Sequence, residues 1–222
     1  MQREAAVGRF LGTGLVFVVL CGVAVLLTDP LPLHAWMNGW HTPATDLFFR
    51  NLTHLADGLV PTTLAIVLLW KDYRSFLMMG LSCGVSALIT QFLKRVVFAD
   101  HDRPAVFKEQ LGDLDWLTGV EITHHWSFPS GHSTAAWAMC FALTVLLARR
   151  SWSIPLALLA ALLAYSRVYL SQHFTEDILV GAFIGMAVAW AVYHWLYRSP
   201  FRTRAWLQRR PGRSEPVAGA NG

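Results

Sequence analysis

Charge is what this chain has least of. Of its 222 residues only 14% are Asp, Glu, Lys or Arg, against roughly 25% in an average soluble chain. Hydrophobic residues make up 55%, and the mean hydropathy of +0.41 points the same way. These proportions exclude an ordinary soluble domain. Cysteine is scarce too: Cys21, Cys83 and Cys140 each fall inside an apolar run, which excludes a disulfide framework and a thiolate metal cluster and leaves them as small core residues. No internal repeat and no separate soluble block is visible. Arg3 and Arg9 precede the first apolar run, but no A-x-A-like cleavage site follows it and Asp29-Pro30 reads as a helix end, so the run is expected to be an uncleaved span. The net charge of +4 does not indicate nucleic acid, because the basic residues cluster at the ends of apolar runs, as membrane topology requires.

What is present is a series of apolar segments near the length that crosses a bilayer, about 20 residues. The sequence predicts six spans, over 7–28, 58–70, 75–97, 131–148, 152–170 and 175–197, the second having the shortest apolar part. Pro155 is expected in the first turn of the fifth. The Trp- and His-bearing stretch 29–57 reads as interfacial, with a short helix over 47–55 lying on the membrane. The fold class expected is therefore all-α, a six-transmembrane-helix bundle forming one domain over 1–200. A basic, disordered tail is expected over 201–222. With six spans both termini share a side. Arg3, Arg9, Lys71, Arg74, Arg149, Arg150 and the six arginines after Tyr197 gather on one face, and Arg50, Lys94, Arg95, Arg103, Lys108 and Arg167 on the other. Twelve against six makes the first face cytoplasmic.

The chain is organised around Trp126–Ser133, W-S-F-P-S-G-H-S, where a polar loop becomes an apolar helix. A helix N-terminus offers backbone N–H groups and the positive end of the helix dipole to an anion. Ser130 adds a hydroxyl donor, Gly131 allows close approach, and His132 can exchange a proton near neutrality. On the same outward face lie Lys94 or Arg95 at the end of the third span, Arg103-Pro104 in the long loop, Arg167 at the end of the fifth, and His173 and Asp177 at the start of the sixth. Snorkelling to water covers Lys94 or Arg95 alone, but not the whole set. His173 and Asp177 are four apart and share a helix face, so the carboxylate can fix the imidazole tautomer and leave the other nitrogen as nucleophile or base. Guanidinium and ammonium groups, a helix N-terminus and two imidazoles together suit a tetrahedral oxyanion and phosphoryl transfer.

Lys94 through Arg103-Pro104, Pro129-Ser130-Gly131-His132, and Ser166-Arg167-x5-His173-x3-Asp177 resemble the three signature motifs of the type 2 phosphatidic acid phosphatase superfamily, the second and third in full. The resemblance spans roughly 91–177. It implies His173 as the nucleophile that forms a phosphohistidine, Asp177 orienting it and His132 as the acid for the leaving group. It further implies Lys94, Arg103, Ser130, Gly131 and Arg167 as phosphate ligands, with no metal or other cofactor. One departure stands out. The family usually has six residues between the Lys and the Arg-Pro of its first motif, and eight lie between Lys94 and Arg103 here, so Arg95 is an alternative to Lys94.

The expected partners are a lipid phosphate substrate and the bilayer, in a bacterial inner membrane with the site facing the periplasm. Undecaprenyl pyrophosphate, phosphatidylglycerol phosphate, phosphatidate and lipid A phosphates all fit. A lipid phosphotransferase would use the same phosphohistidine. A transporter or non-catalytic lipid-binding protein is the reading from another class, disfavoured because the ionisable residues gather at one face and not in the middle of spans. A soluble haloperoxidase-like relative is disfavoured by the apolar spans. His124 and His125, with Glu121 and His101, are expected to form a solvated loop and not a metal site. His34, His41 and His54 are expected to be interfacial or hydrogen-bonded.

Overall fold

A computed structural model describes residues 1–112, 114, 116–117, 119–120 and 123–212 of the chain. Within them the secondary structure is helical. The helices are α1 (Gln2–Leu27), α2 (Pro30–Met37), α3 (Pro43–Leu52), α4 (Leu59–Leu69), α5 (Tyr73–Phe92), α6 (Lys108–Leu111), α7 (Gly131–Leu147), α8 (Arg150–Tyr169) and α9 (Thr175–Tyr193). A π turn over Leu93–Val97 extends α5, and another over His194–Arg198 extends α9.

The starts and stops follow local chemistry. Thr42 caps α3 by accepting from Thr45 N, with Pro43 at the first helical position, where its missing N–H costs nothing. Asp72 caps α5 and Ser130 caps α7 through the N–H three residues on. Pro155 lies inside α8, beyond its first turn, because that helix already begins at Arg150.

Among the described residues four helices are long and apolar enough to cross a membrane: Gln2–Leu27, Tyr73–Val97, Arg150–Tyr169 and Thr175–Arg198. Pro43–Ala56 and Leu59–Leu69 pass only as a pair, bent by 48° at the break between them. The amphipathic segment expected over 47–55 is thus the end of α3 and the 3-10 turn Thr53–Ala56. α7 is apolar but has 17 residues. It is the central helix, buried along most of its length and packed against α1, α5, α8 and α9. Its Trp137 and Phe141 meet Phe10 of α1 edge-on, with ring centroids 5.7 and 5.5 Å apart. α1 lies at the rim, with Leu15, Val19, Leu20 and Leu26 uncovered, as a helix facing lipid must be. The chain is a membrane protein.

One end of the bundle is basic. Arg198 pairs with Glu4, the Arg3 guanidinium lies 4.6 Å from the Tyr197 ring centroid, and Arg3 Nε donates to Val145 O at 2.9 Å. The segment after Arg198, expected from its composition to lack structure, instead forms 3-10 turns over Pro200–Thr203 and Ala205–Gln208. Leu207 is fully buried, and Tyr73 N donates to Arg209 O at 3.1 Å. Apolar side chains at Phe201, Trp206 and Leu207 give this part of the basic segment something to bury, with Phe201 stacked on Trp195 at 4.4 Å. Residues 213–222 lie outside the described residues. The C-terminal ends of α5 and α8 and the N-terminal ends of α7 and α9 meet at the other end of the bundle, and the polar residues singled out above converge there.

Candidate active site

The turn between α8 and α9 is folded tightly. Gln172 N and His173 N both donate to Arg167 O, at 2.8 and 3.2 Å, which sets Arg167 and His173 side by side. Ser171 supports the bend with a φ of 50°, a left-handed conformation uncommon outside glycine and often found at functional sites. The turn is held from outside by α2. Asn38 Nδ2 donates to Val168 O, Tyr169 O and Ser171 Oγ at 3.0, 2.8 and 3.1 Å, and His34 Nε2 lies 3.2 Å from Ser171 Oγ. His34 is therefore a buried, hydrogen-bonded group and not an interfacial one.

His173 is buried, and its Nδ1 donates to Asp177 Oδ2 at 3.1 Å. The same carboxylate oxygen accepts from Phe174 N at 2.9 Å and from the Ser127 hydroxyl. Asp177 thus caps α9 and orients the imidazole at once. With Nδ1 engaged, Nε2 is the free nitrogen. Burial, and then the charges of Arg103, Lys94, Arg167 and His132, hold the His173 imidazole well below its ordinary range. It is neutral at physiological pH, the form in which a histidine can act as a nucleophile.

α7 brings the Ser-Gly-His turn to the same place. Ser130 N donates to Asp177 O at 3.0 Å and Ser133 Oγ donates to Ile178 O at 2.7 Å. Ser130 is fully buried, and the α7 N-terminus beside it begins at Gly131.

The cations are arranged unequally. Arg167 Nη1 donates to Thr53 Oγ1 at 2.8 Å, but its buried Nε has no hydrogen-bond partner among the described residues. Lys94 is buried on the π turn, with no hydrogen bond or ion pair among the described residues, whereas Arg95 is exposed with its guanidinium 5.6 Å from the centroid of Trp126. Lys94 thus lies inside the site and Arg95 outside it. Arg103 donates through Nη1 to Gln172 O and Oε1, both at 3.2 Å, and through Nε to His125 O at 3.0 Å. Burial disfavours its charge, with Asp177 acting the other way. Arg103 N and Ser127 N pair with His124 O and His101 O, which lashes the Arg103 segment to the chain just before the α7 turn. A cavity of about 450 Å³ opens over this cluster, lined among others by Arg103, Arg167, Gln172, Thr53 and Arg50.

All eight residues singled out in the sequence lie at this one end. Four that belong with them were missed: Ser127, Thr53, Asp57 and Gln172. His132 Nε2 lies 2.8 Å from Asp57 Oδ1, and no spacing rule links residues 75 positions apart. Ser127 does sit within the W-S-F-P-S-G-H run, the one signal available for it. Among the described residues no group of three or more His, Cys, Asp or Glu is placed to hold a metal. His125 is tied to Asp102 at 2.7 Å, and Glu121 lies outside the described residues.

The family model described as the PAP2 superfamily matches residues 75–201. The chain belongs to the PAP2 superfamily. A lipid A 4'-phosphatase of Bacteroides thetaiotaomicron is 25% identical over 165 residues, covering 71% of this PAP2 chain and 72% of the relative. A putative undecaprenyl-diphosphatase of Escherichia coli is 31% identical over 164 residues, 68% and 75% of the two chains. The crystal structure of Aquifex aeolicus LpxE matches 74% of this PAP2 chain and 94% of its own with a TM-score of 0.65 at 27% identity. A PAP2-type phosphatidylglycerolphosphate phosphatase of Bacillus subtilis has a similar fold, with a TM-score of 0.62 at 21% identity and coverages of 84% and 95%.

Proposed function

We propose that this chain is an integral-membrane lipid phosphatase that hydrolyses a lipid phosphate or pyrophosphate through a phosphohistidine. The observation that carries the reading is a pair of buried cations with unanswered donors beside a neutral, oriented imidazole. Buried charges are normally paired. Among the described residues Lys94 and the Nε of Arg167 are not, and an oxyanion between them, Ser130, the Gly131 N–H and Arg103 would satisfy both.

In this reading His173 Nε2 attacks phosphorus while the bond to the lipid oxygen breaks, and His132 gives that oxygen its proton. Water then attacks the phosphohistidine, the N–P bond breaks, His132 takes back a proton and phosphate leaves. Lys94, Arg103 and Arg167 hold the charge on the equatorial oxygens throughout.

The bundle crosses the membrane six times: the four long helices, α4, with α3 and the Thr53–Ala56 turn at the interface before it, and α7, whose short length is offset by its burial in protein. Residues 1–200 form the six-span unit and 201–222 a basic segment at the cytoplasmic face. The basic end marked by Arg3 and Arg198 is cytoplasmic, both termini included. The site faces the periplasm of a bacterial inner membrane, at headgroup depth. The relatives named for lipid A and undecaprenyl diphosphate, both bacterial, favour substrates of those kinds, alongside phosphatidylglycerol phosphate and phosphatidate.

The test is phosphate release by the purified protein from a panel of these lipids in detergent. Free phosphate without an added acceptor supports hydrolysis. Strict dependence on a lipid acceptor would make the chain a phosphotransferase instead, and binding without turnover would leave a lipid-binding or transport protein.

A further inference from the structure

We propose that Asp57 is the positioning residue of the leaving-group acid, fixing the His132 ring through Nε2 and leaving Nδ1 as the nitrogen that gives its proton to the lipid oxygen. The inference rests on the phosphatase reading above.

Asp57 sits in the break between the 3-10 turn Thr53–Ala56 and α4. The break is pinned at both ends: Asp57 N donates to His54 O at 3.1 Å, and Val60 N donates to Asp57 O at 3.0 Å. Each carboxylate oxygen meets an imidazole, Oδ1 the Nε2 of His132 and Oδ2 the Nδ1 of His54, both at 2.8 Å. Burial alone would raise the Asp57 carboxyl, but the hydrogen bonds from His54 and His132 outweigh it and hold the group below its usual range. It is a carboxylate at neutral pH. The same turn supplies Thr53, which accepts from Arg167, so one short segment touches both the proton donor and the phosphate cage.

The need for such a group is electrostatic. His132 is partly buried in the first turn of α7, at the positive end of that helix dipole, in a site that also holds Arg167 and Lys94. Burial, the neighbouring cations and the dipole all oppose a positive charge on the ring. Asp57 is the carboxylate that hydrogen-bonds it. With Nε2–H given to Asp57, the remaining proton of the imidazolium is on Nδ1. That proton passes to the lipid oxygen as the P–O bond breaks and the His173–phosphorus bond forms. The neutral Nδ1 then accepts a proton from the attacking water, and Asp57 stays ionised through both steps.

A general acid matters in proportion to how poor the leaving group is, contributing about 10²–10⁴-fold where it is needed. The discriminating experiment compares an alkyl lipid phosphate with p-nitrophenyl phosphate, whose leaving group departs unprotonated. Asp57→Asn is expected to lower the ratio of turnover on the alkyl ester to turnover on the aryl ester by about 10- to 100-fold, and Asp57→Glu to restore part of it. In a His132→Ala background Asp57→Asn is expected to have no further effect on that ratio, because Asp57 acts through the ring. Equal losses on both esters, or an undiminished Asp57→Asn effect without His132, would assign Asp57 a merely structural role and overturn the proposal. If the unsubstituted protein releases phosphate from neither ester, the phosphatase reading itself fails and this one with it.

Discussion

Gly181 of α9 lies against the carbonyl of Ser130: a Cβ at Gly181 would stand 2.6 Å from that oxygen and 3.0 Å from Ser133 Cβ. One turn further on, a Cβ at Gly185 would overlap Thr134 O. Two glycines four apart let the backbones of α7 and α9 touch, as small residues do where membrane helices pack closely. Direct contact is what allows Ser130 N to reach Asp177 O and Ser133 Oγ to reach Ile178 O. The helix–helix contact is therefore also the joint between the Ser130-Gly131-His132 turn and the His173–Asp177 pair.

Gly181→Ala is expected to force that joint apart, because its nearest obstacle is backbone and cannot rotate away. The cost of such overpacking is about 1–3 kcal/mol, and a displacement of about 1 Å between reacting groups lowers turnover by roughly 10²-fold. Thermal unfolding in detergent and phosphate release measure the two effects. Gly22→Ala, where a Cβ meets nothing within 4 Å, is the matched control and is expected to be neutral. A Gly181→Ala protein as stable and active as the control would contradict the account of the joint.

Ser127→Ala is expected to slow turnover with little effect on substrate affinity. Its hydroxyl donates to Asp177 Oδ2 and lies 3.4 Å from His173 Nδ1, so it fixes the carboxylate that orients His173, the proposed nucleophile, and lies behind that ring. A fall in kcat of about 10-fold at unchanged KM is the expected result, the loss of one buried hydrogen bond to a charged group being about 1.5–3 kcal/mol. A rise in KM alone would place Ser127 among the phosphate ligands.

Acid stability reports on His34. Burial lowers its imidazole to about 4, from an ordinary 6.5. Below 6.5 the unfolded chain takes up a proton that the folded chain refuses, so stability is full above 6.5 and is lost as pH falls toward 4. At 1.36 kcal/mol per unit the loss is about 3 kcal/mol. In detergent the thermal midpoint of His34→Gln should fall less steeply between pH 6.5 and 4 than that of the unsubstituted protein. Parallel slopes would mean that the imidazole is not desolvated as described.

Topology can be read by labelling. Cys21, Cys83 and Cys140 all lie within helices of the bundle. A cysteine introduced at His125 should react with an impermeant thiol reagent added to intact cells, and one at Arg150 should react only after lysis. The reverse pattern would invert the map.

Much of this end of the molecule was legible in the sequence, for definite reasons. His173 and Asp177 lie one helical turn apart and Arg167 sits across a tight turn, so local geometry alone brings them together. Ser130 and Gly131 open a helix, and a helix N-terminus has the same chemistry wherever it lies. Lys94 against Arg95 could not be decided from spacing, because adjacent residues on a turn point apart and only packing says which faces inward. Asp57 was invisible for a different reason: its role depends on a bend between two short helices, and a bend has no periodicity. α7 is shorter than the usual span because protein, not lipid, surrounds much of it. The order in 200–208 was missed because composition reports charge, while Leu207 is buried by tertiary contact.

The central claim is that His173 carries the phosphoryl group. The most direct measurement is an alkaline quench of the protein during turnover of a lipid phosphate, followed by mass spectrometry of the peptide spanning 168–198. Phosphate on His173, absent in His173→Ala together with phosphate release, is the expected result. Phosphate on His132, or continued release by His173→Ala with no phosphorylated histidine, would contradict it.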